Sequence, residues 1–286
     1  MKRKSVFVSF LTMIFFCTSC SLKENRISAP SGNRTSMTDS SNVKEDVNLK
    51  IGTETYRGFV VDNVLSSDSG DIHFHLYLPK NYDGKKQYAL YISLCGYGGY
   101  YFQGIGINLR QENFVFEAMR YNDEMIIAAP QLNDWGNTSA EQTIELTEYL
   151  ISHYPINPDK VYMNGYSGGG ETLSLVMGKR PSLYSRALHV SSIWDGSLSP
   201  LVESEVPVYF AIGENDEYYG SSRIKETYSK LRELYKEKGL SEERIESLLV
   251  LDVKPRSYFD ERGVSNQHGG GGLFAYDETI MSWLFS

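Results

Sequence analysis

From about residue 57 onward, apolar positions along this 286-residue chain fall into two alternating patterns. Short, nearly unbroken apolar runs occupy 57–61, 72–79, 88–94, 124–130, 161–166, 186–193, 206–213 and 248–253. Runs of that length with few polar interruptions predict strands covered on both faces. Between them lie stretches in which apolar residues recur every three or four positions, at 112–122, 139–154, 171–180, 221–238 and 273–285. The clearest is 139–154, where Ala140, Ile144, Thr147, Ile151 and Tyr154 form one helical face. In 221–238, Ile224, Tyr228, Leu231 and Tyr235 do the same, and Gly239 supplies a stop. Gly70-Asp71 between the first two runs predicts an antiparallel hairpin. The later alternation of strand and helix predicts an α/β domain with a mainly parallel central sheet and helices on both faces.

The first fifty residues follow neither pattern. Lys2, Arg3 and Lys4 precede an apolar run over 6–16, interrupted by Ser9 and Thr12. That run is too short to span a bilayer and reads as the core of a signal peptide covering 1–19. The following Cys17-Thr18-Ser19-Cys20 resembles a bacterial lipobox, which implies lipidation at Cys20 and an exported lipoprotein held at the cell envelope. Cys17 stands where that pattern usually has Leu, so ordinary cleavage to a secreted or periplasmic protein stays open. Residues 20–50 are polar, with Pro30 and Gly32, and read as a flexible tether ahead of a domain at 51–286. After such processing Cys95 alone would remain in the domain, leaving no intrachain disulfide. The formal charge is −8; removing three cations and no acid with residues 1–19 makes it −11, which disfavours nucleic acid as a partner.

Candidate chemistry concentrates where the 161–166 run meets Gly165-Tyr166-Ser167-Gly168-Gly169, ahead of a helical stretch. A serine on such a strand-to-helix turn projects its hydroxyl, and the flanking glycines allow close backbone approach. The Gly168 N–H would face a reacting carbonyl. A second backbone donor is expected from Gly96-Tyr97-Gly98-Gly99 after the 88–94 strand, with the Tyr97 N–H as candidate. A serine hydroxyl needs a base, and the base needs a group that fixes its tautomer. Active sites of open α/β sheets gather at the carboxyl ends of strands. His73, His75 and His189 fall inside strands and His153 near a helix end, which leaves His268 in a suitable loop. Asp216, after the 206–213 strand, is the preferred acid, with Glu214, Glu217 and Asp195 as competitors. The order Ser167, Asp216, His268 suits this reading. Cys95 is taken as an inert core thiol, and His73 and His75 as exposed structural strand histidines with no third metal ligand at a recognisable spacing.

Several segments carry a family resemblance. These are His75-Leu76-Tyr77-Leu78-Pro79, Ile156-Asn157-Pro158-Asp159-Lys160-Val161-Tyr162 leading into the serine turn, Gly213 with Asp216, and His268-Gly269-Gly270. Together they resemble an α/β-hydrolase, nearest the esterase branch with polyhydroxybutyrate-depolymerase-like and feruloyl-esterase-like enzymes. Cys95 departs from the His that often opens the oxyanion loop there. The resemblance implies a Ser167–His268–Asp216 triad and an oxyanion hole of Gly168 and Tyr97. It also implies hydrolysis of carboxylic esters through an acyl-enzyme, with no metal or organic cofactor. Tyr97, Tyr100, Tyr101, Trp135, Trp194, Tyr218 and Tyr219 fall in or beside loops at the expected active end. Tyr100, Trp135, Trp194 and Tyr218 are the substrate-binding candidates, suited to aryl acyl groups or the sugar rings of an oligosaccharide ester. The absence of a long insertion after residue 193 speaks against long-chain lipid esters. Prolyl-oligopeptidase-type peptidases share the core, so a serine peptidase remains one rival, and a catalytically silent binding lipoprotein is another.

Overall fold

The computed structural model describes residues 48–111 and 113–286; the expected signal peptide, Cys20 and most of the expected tether lie outside the described residues. Among the described residues ten strands form one sheet: β1 (Leu49–Lys50), β2 (Glu54–Tyr56), β3 (Phe59–Ser67), β4 (Gly70–Tyr77), β5 (Tyr88–Leu94), β6 (Met125–Pro130), β7 (Ile156–Tyr166), β8 (Arg186–Val190), β9 (Val208–Gly213) and β10 (Leu249–Lys254). Their spatial order is β1-β3-β4-β6-β5-β7-β8-β9-β10, with β2 also paired to β3. From β6 across to β10 every pairing is parallel, whereas β3 and β4 form an antiparallel hairpin and β4 meets β6 antiparallel. Leu49 and Lys50 already pair with Leu65 and Val64, so the sheet starts inside the stretch read as tether.

The core explains why the inner strands are apolar without alternation. On β5, Leu90, Ile92 and Leu94 face one layer with Met163, Phe210, Leu231 and Tyr235. Ala89 and Tyr91 face the other, with Tyr162, Tyr209, Phe274 and Met281. Successive side chains on a strand point to opposite faces, and here both faces are covered, so both sets must be apolar. The long helices Asn137–His153 and Ser222–Glu237 bury Ile144 and Leu150, and Leu231 and Tyr235, against the first layer.

The ends of several elements differ from their expected places. The 273–285 stretch divides into a 3₁₀ segment Gly269–Tyr276 and a helix Glu278–Leu284. Asp277 caps the second piece, its carboxylate accepting the N–H groups of Thr279 and Ile280. The 186–193 run leaves the sheet at Val190, and Ser191 turns the chain with φ 44°. Four short helices, Asn108–Gln111, Ser199–Ser204, Glu242–Leu248 and Arg256–Asp260, lie outside the expected helical stretches. His75 is not an exposed strand histidine but fully buried: its Nδ1 accepts the N–H of Asp62 at 2.9 Å, and Nε2 meets Gln131 Oε1 at 3.2 Å. Burial lowers its pKa to about 4, as it does for the equally buried His189.

Because β5 through β10 run parallel in the sheet, their carboxyl ends share one edge. The Tyr97 turn, the Ser167 turn and the Asp216 loop leave that edge from β5, β7 and β9, and the chain beyond β10 returns to it at His268.

Candidate active site

Ser167 stands between the last residue of β7 and the first of the helix Gly168–Met177, with φ 55° and ψ −122°. L-residues rarely adopt such a conformation, so surrounding contacts must hold it. They do so from both sides. The Ser167 N–H donates to Val190 O at 3.0 Å, and its carbonyl accepts from Ser192 Oγ at 2.7 Å. A Cβ on Gly165 would lie 2.2 Å from Gly169 O, and one on Gly169 would lie 2.4 Å from Leu94 O. The turn therefore packs backbone on backbone, and glycine is required by space. Gly168 and Tyr97 are each the first residue of a helical turn, so their N–H groups have no acceptor within it and remain available to a negative charge.

The serine hydroxyl meets His268 Nε2 at 3.0 Å, and His268 Nδ1 meets Asp216 at 2.9 and 3.1 Å. Asp216 has no exposed side-chain surface. Its Oδ1 also accepts the N–H groups of Tyr218 and Tyr219 at 3.1 and 2.8 Å, which holds the carboxylate in place. An ionised carboxylate only accepts, so the proton on His268 sits at Nδ1 and a lone pair on Nε2 faces Ser167. The histidine backbone is fixed as well: its N–H donates to Glu217 Oε2 at 3.0 Å, and its carbonyl accepts from the Tyr166 hydroxyl at 2.8 Å. That main-chain donor holds the Glu217 carboxyl below the usual range. Of the four acids open at the sequence level, Asp216 reaches the ring. Glu217 takes the histidine N–H, Glu214 accepts the Arg256 N–H at 2.9 Å, and Asp195 lies 3.7 Å from Arg223.

Two cavities, of about 350 Å³ and about 290 Å³, flank the serine, and both are lined by Ser167, His268 and Tyr97. A molecule straddling Ser167 would have one cavity on each side of the hydroxyl.

Comparison with known proteins bears on this geometry. Residues 131–250 match the prolyl oligopeptidase family. No curated protein matches by sequence. Solved structures do match, at low identity: a thermostable esterase (TM-score 0.65, 18% identity, covering 80% of this chain and 62% of that one). A feruloyl esterase module from Clostridium thermocellum, in complex with sinapinate, gives TM-score 0.57 at 15% identity over 84% of this chain and 94% of that one. Oligopeptidase B from Leishmania major gives 0.52 at 15%, over 82% of this chain but only 36% of its own. The chain has the α/β-hydrolase fold. It spans less than two thirds of the thermostable esterase's length.

Within this hydrolase fold the expected substrate-binding residues divide. Tyr97, Trp135 and Tyr218 line the larger cavity and are exposed. Tyr100 does not line it: it is buried beneath Trp135, stacked with ring centroids 5.7 Å apart. Its hydroxyl abuts Gly168, so it supports the helix start from below. Trp194 is also misplaced by sequence reasoning. Beyond the turn at Ser191, its indole enters the core between His189 and Phe210, at centroid distances of 5.6 and 5.7 Å. Tyr101 stacks on His73 at 3.8 Å, and Cys95 is a buried thiol that lines neither cavity. Glu171 was missed. It lies four residues after Ser167, and helical spacing puts residues four apart on one face, so the signal was present in the sequence.

Proposed function

We propose that this hydrolase is a serine esterase that cleaves carboxylic esters through an acyl-enzyme. The observation that carries the reading is the continuous contact from Ser167 Oγ to His268 Nε2 and from His268 Nδ1 to the buried Asp216. His268 takes the serine proton as Ser167 attacks the ester carbonyl. The Gly168 and Tyr97 N–H groups receive the oxyanion, at the positive end of the helix behind Gly168. His268, now positive and steadied by Asp216, gives its proton to the departing alkoxide. Water then attacks the acyl-enzyme by the same proton path and releases the acid. The chain's own groups suffice for each step, with no metal or organic cofactor. Trp135, Tyr97 and Tyr218 offer ring faces, which suits aryl acyl groups or sugar rings of an acylated oligosaccharide.

Labelling with a fluorophosphonate probe tests the nucleophile. Wild type should react, while Ser167→Ala and His268→Ala should not, and 4-nitrophenyl acetate turnover should fall on the order of 10⁴-fold or more in both. A folded wild type that neither labels nor turns over ester would return the chain to the silent binding-protein reading. The family match over residues 131–250 supports a second reading, a serine peptidase. A chromogenic dipeptide amide cleaved faster than esters would favour it. Export and anchoring through lipid on Cys20 complete the proposal, with the membrane as partner through that lipid alone. Radiolabelled palmitate incorporated by the wild type but not by Cys20→Ser would support the anchor, and equal labelling of both would refute it.

A further inference from the structure

The larger cavity is closed on one side by a carboxyl group that the acyl-transfer chemistry does not use. Glu171 sits in the first turn of the helix that begins at Gly168, on the face of Ser167. Its Oε1 accepts the Tyr219 hydroxyl. Burial holds the Glu171 carboxyl above the usual range, and the neighbouring Asp195 adds to the effect. Burial, and then Glu171 itself, pushes the Tyr219 hydroxyl up as well. Both shifts have the same first cause: burial disfavours the charged form of each group, and the Tyr219 hydroxyl and the more distant Arg223 offset this for Glu171 only in part.

The rest of the wall has the same preference. Trp135 and Tyr218 line the cavity and are exposed residues, at 40% and 73%. Aromatic faces are the negative ends of ring quadrupoles and attract cations. Among the described residues, no lysine or arginine lines this cavity. Arg223, the cation beside Asp195, is 3.7 Å from that carboxylate and does not line the cavity. A bound anion would meet an unfavourable field here, and a neutral group would leave the carboxyl with the Tyr219 hydroxyl as its partner and no cation in the cavity. A cation would be stabilised by both the carboxylate and the rings.

We propose that Glu171 makes this cavity select esters carrying an ammonium group, held between its carboxylate and the faces of Trp135 and Tyr218. The proposal rests on the esterase reading and narrows it to a charge class of substrate. The chemistry of the ester step is unchanged; the ammonium contributes binding on the side of the carbonyl that faces the cavity.

Pairs of esters that differ only in charge test it. For the alcohol side the pair is acetylcholine and 3,3-dimethylbutyl acetate. For the acyl side it is the 4-nitrophenyl esters of 4-(trimethylammonio)butanoate and 5,5-dimethylhexanoate. In wild type, one pair should favour the cation by about tenfold or more in kcat/KM, and Glu171→Gln should bring that ratio to within about threefold of unity. The ratio within each pair cancels any general loss of activity in the variant. A wild type with a smaller cationic preference in both pairs overturns the proposal, even if the variant does not fold. So does a preference that survives in a Glu171→Gln protein that still labels with fluorophosphonate. Turnover of the neutral esters without charge preference removes this inference alone. Failure to turn over any of the four esters, together with no Ser167 labelling, removes the esterase reading with it.

Discussion

Asp216→Asn is the substitution that bears most directly on the proposed proton path. The wild-type carboxylate, fully removed from solvent, accepts from His268 Nδ1 and from the N–H groups of Tyr218 and Tyr219. Asparagine has the same shape but only one accepting oxygen. If that oxygen keeps the two backbone donors at the Oδ1 position, the new NH₂ faces His268 Nδ1. The nearer of the two ring contacts, at 2.9 Å, then sets donor against donor, and the oxygen at 3.1 Å already accepts two backbone N–H groups, so the ring is driven to present Nδ1 as acceptor and to carry its proton on Nε2. The Ser167 hydroxyl then faces an N–H instead of a lone pair, and the base is lost. A wrong tautomer of this kind costs about 10⁴-fold in kcat, or roughly 5 kcal/mol of barrier. Folding stability should change far less, because the turn donors keep their acceptor. If the amide flips instead, the base returns but two part-buried N–H groups lose their acceptor, at about 1 kcal/mol each. The assay pairs ester turnover with thermal unfolding of the same preparation. A variant with wild-type stability and activity within about tenfold of wild type would refute the argument. It would mean that another carboxylate, Glu217 being nearest in sequence, orients the histidine.

Other substitutions follow from the packing. Ala at Gly169 would put a methyl 2.4 Å from Leu94 O, so strand β5 or the elbow must shift. The expected loss is about 1–3 kcal/mol, a Tm drop of several degrees in thermal unfolding, together with loss of fluorophosphonate labelling. Trp194→Ala should lower stability by about 3–5 kcal/mol in urea unfolding and leave KM near wild type, because the indole fills core rather than cavity. Trp135→Ala should do the opposite, raising KM for aryl esters several-fold with less than about 1 kcal/mol of destabilisation. His75 and His189 have their pKa values lowered from 6.5 to about 4 by burial. Between those pH values the unfolded chain binds protons that the folded chain excludes. Their stabilising effect is therefore complete above pH 6.5 and is lost as pH falls toward 4, on the order of 3 kcal/mol per histidine. Urea unfolding at pH 7 and pH 4.5 measures it; His189→Phe, with a preserved fold, should reduce the difference.

What the chain determined locally was legible without a structure. The parallel sheet followed from apolar runs covered on both faces, and the serine turn from glycines that leave no room for a Cβ. The histidine that meets Ser167 was reachable by elimination, because the other four fall within strands or near a helix end. Selecting Asp216 from four carboxylates was a different kind of question. Asp216, Glu217 and Glu214 lie within four residues of one another, and only the path of the loop after β9 turns one toward the ring, one toward the histidine backbone and one toward Arg256. Tyr100 and Trp194 show the same limit. Each is an aromatic residue beside an active-site loop, with nothing in its neighbours along the chain to say that it points inward. A turn at Ser191 and a stack beneath Trp135 decide that. Periodicity and turn chemistry are set by contacts a few residues apart and can be read in order. The direction of a loop side chain is set by whatever packs against it from distant parts of the chain, and only the assembled fold supplies that.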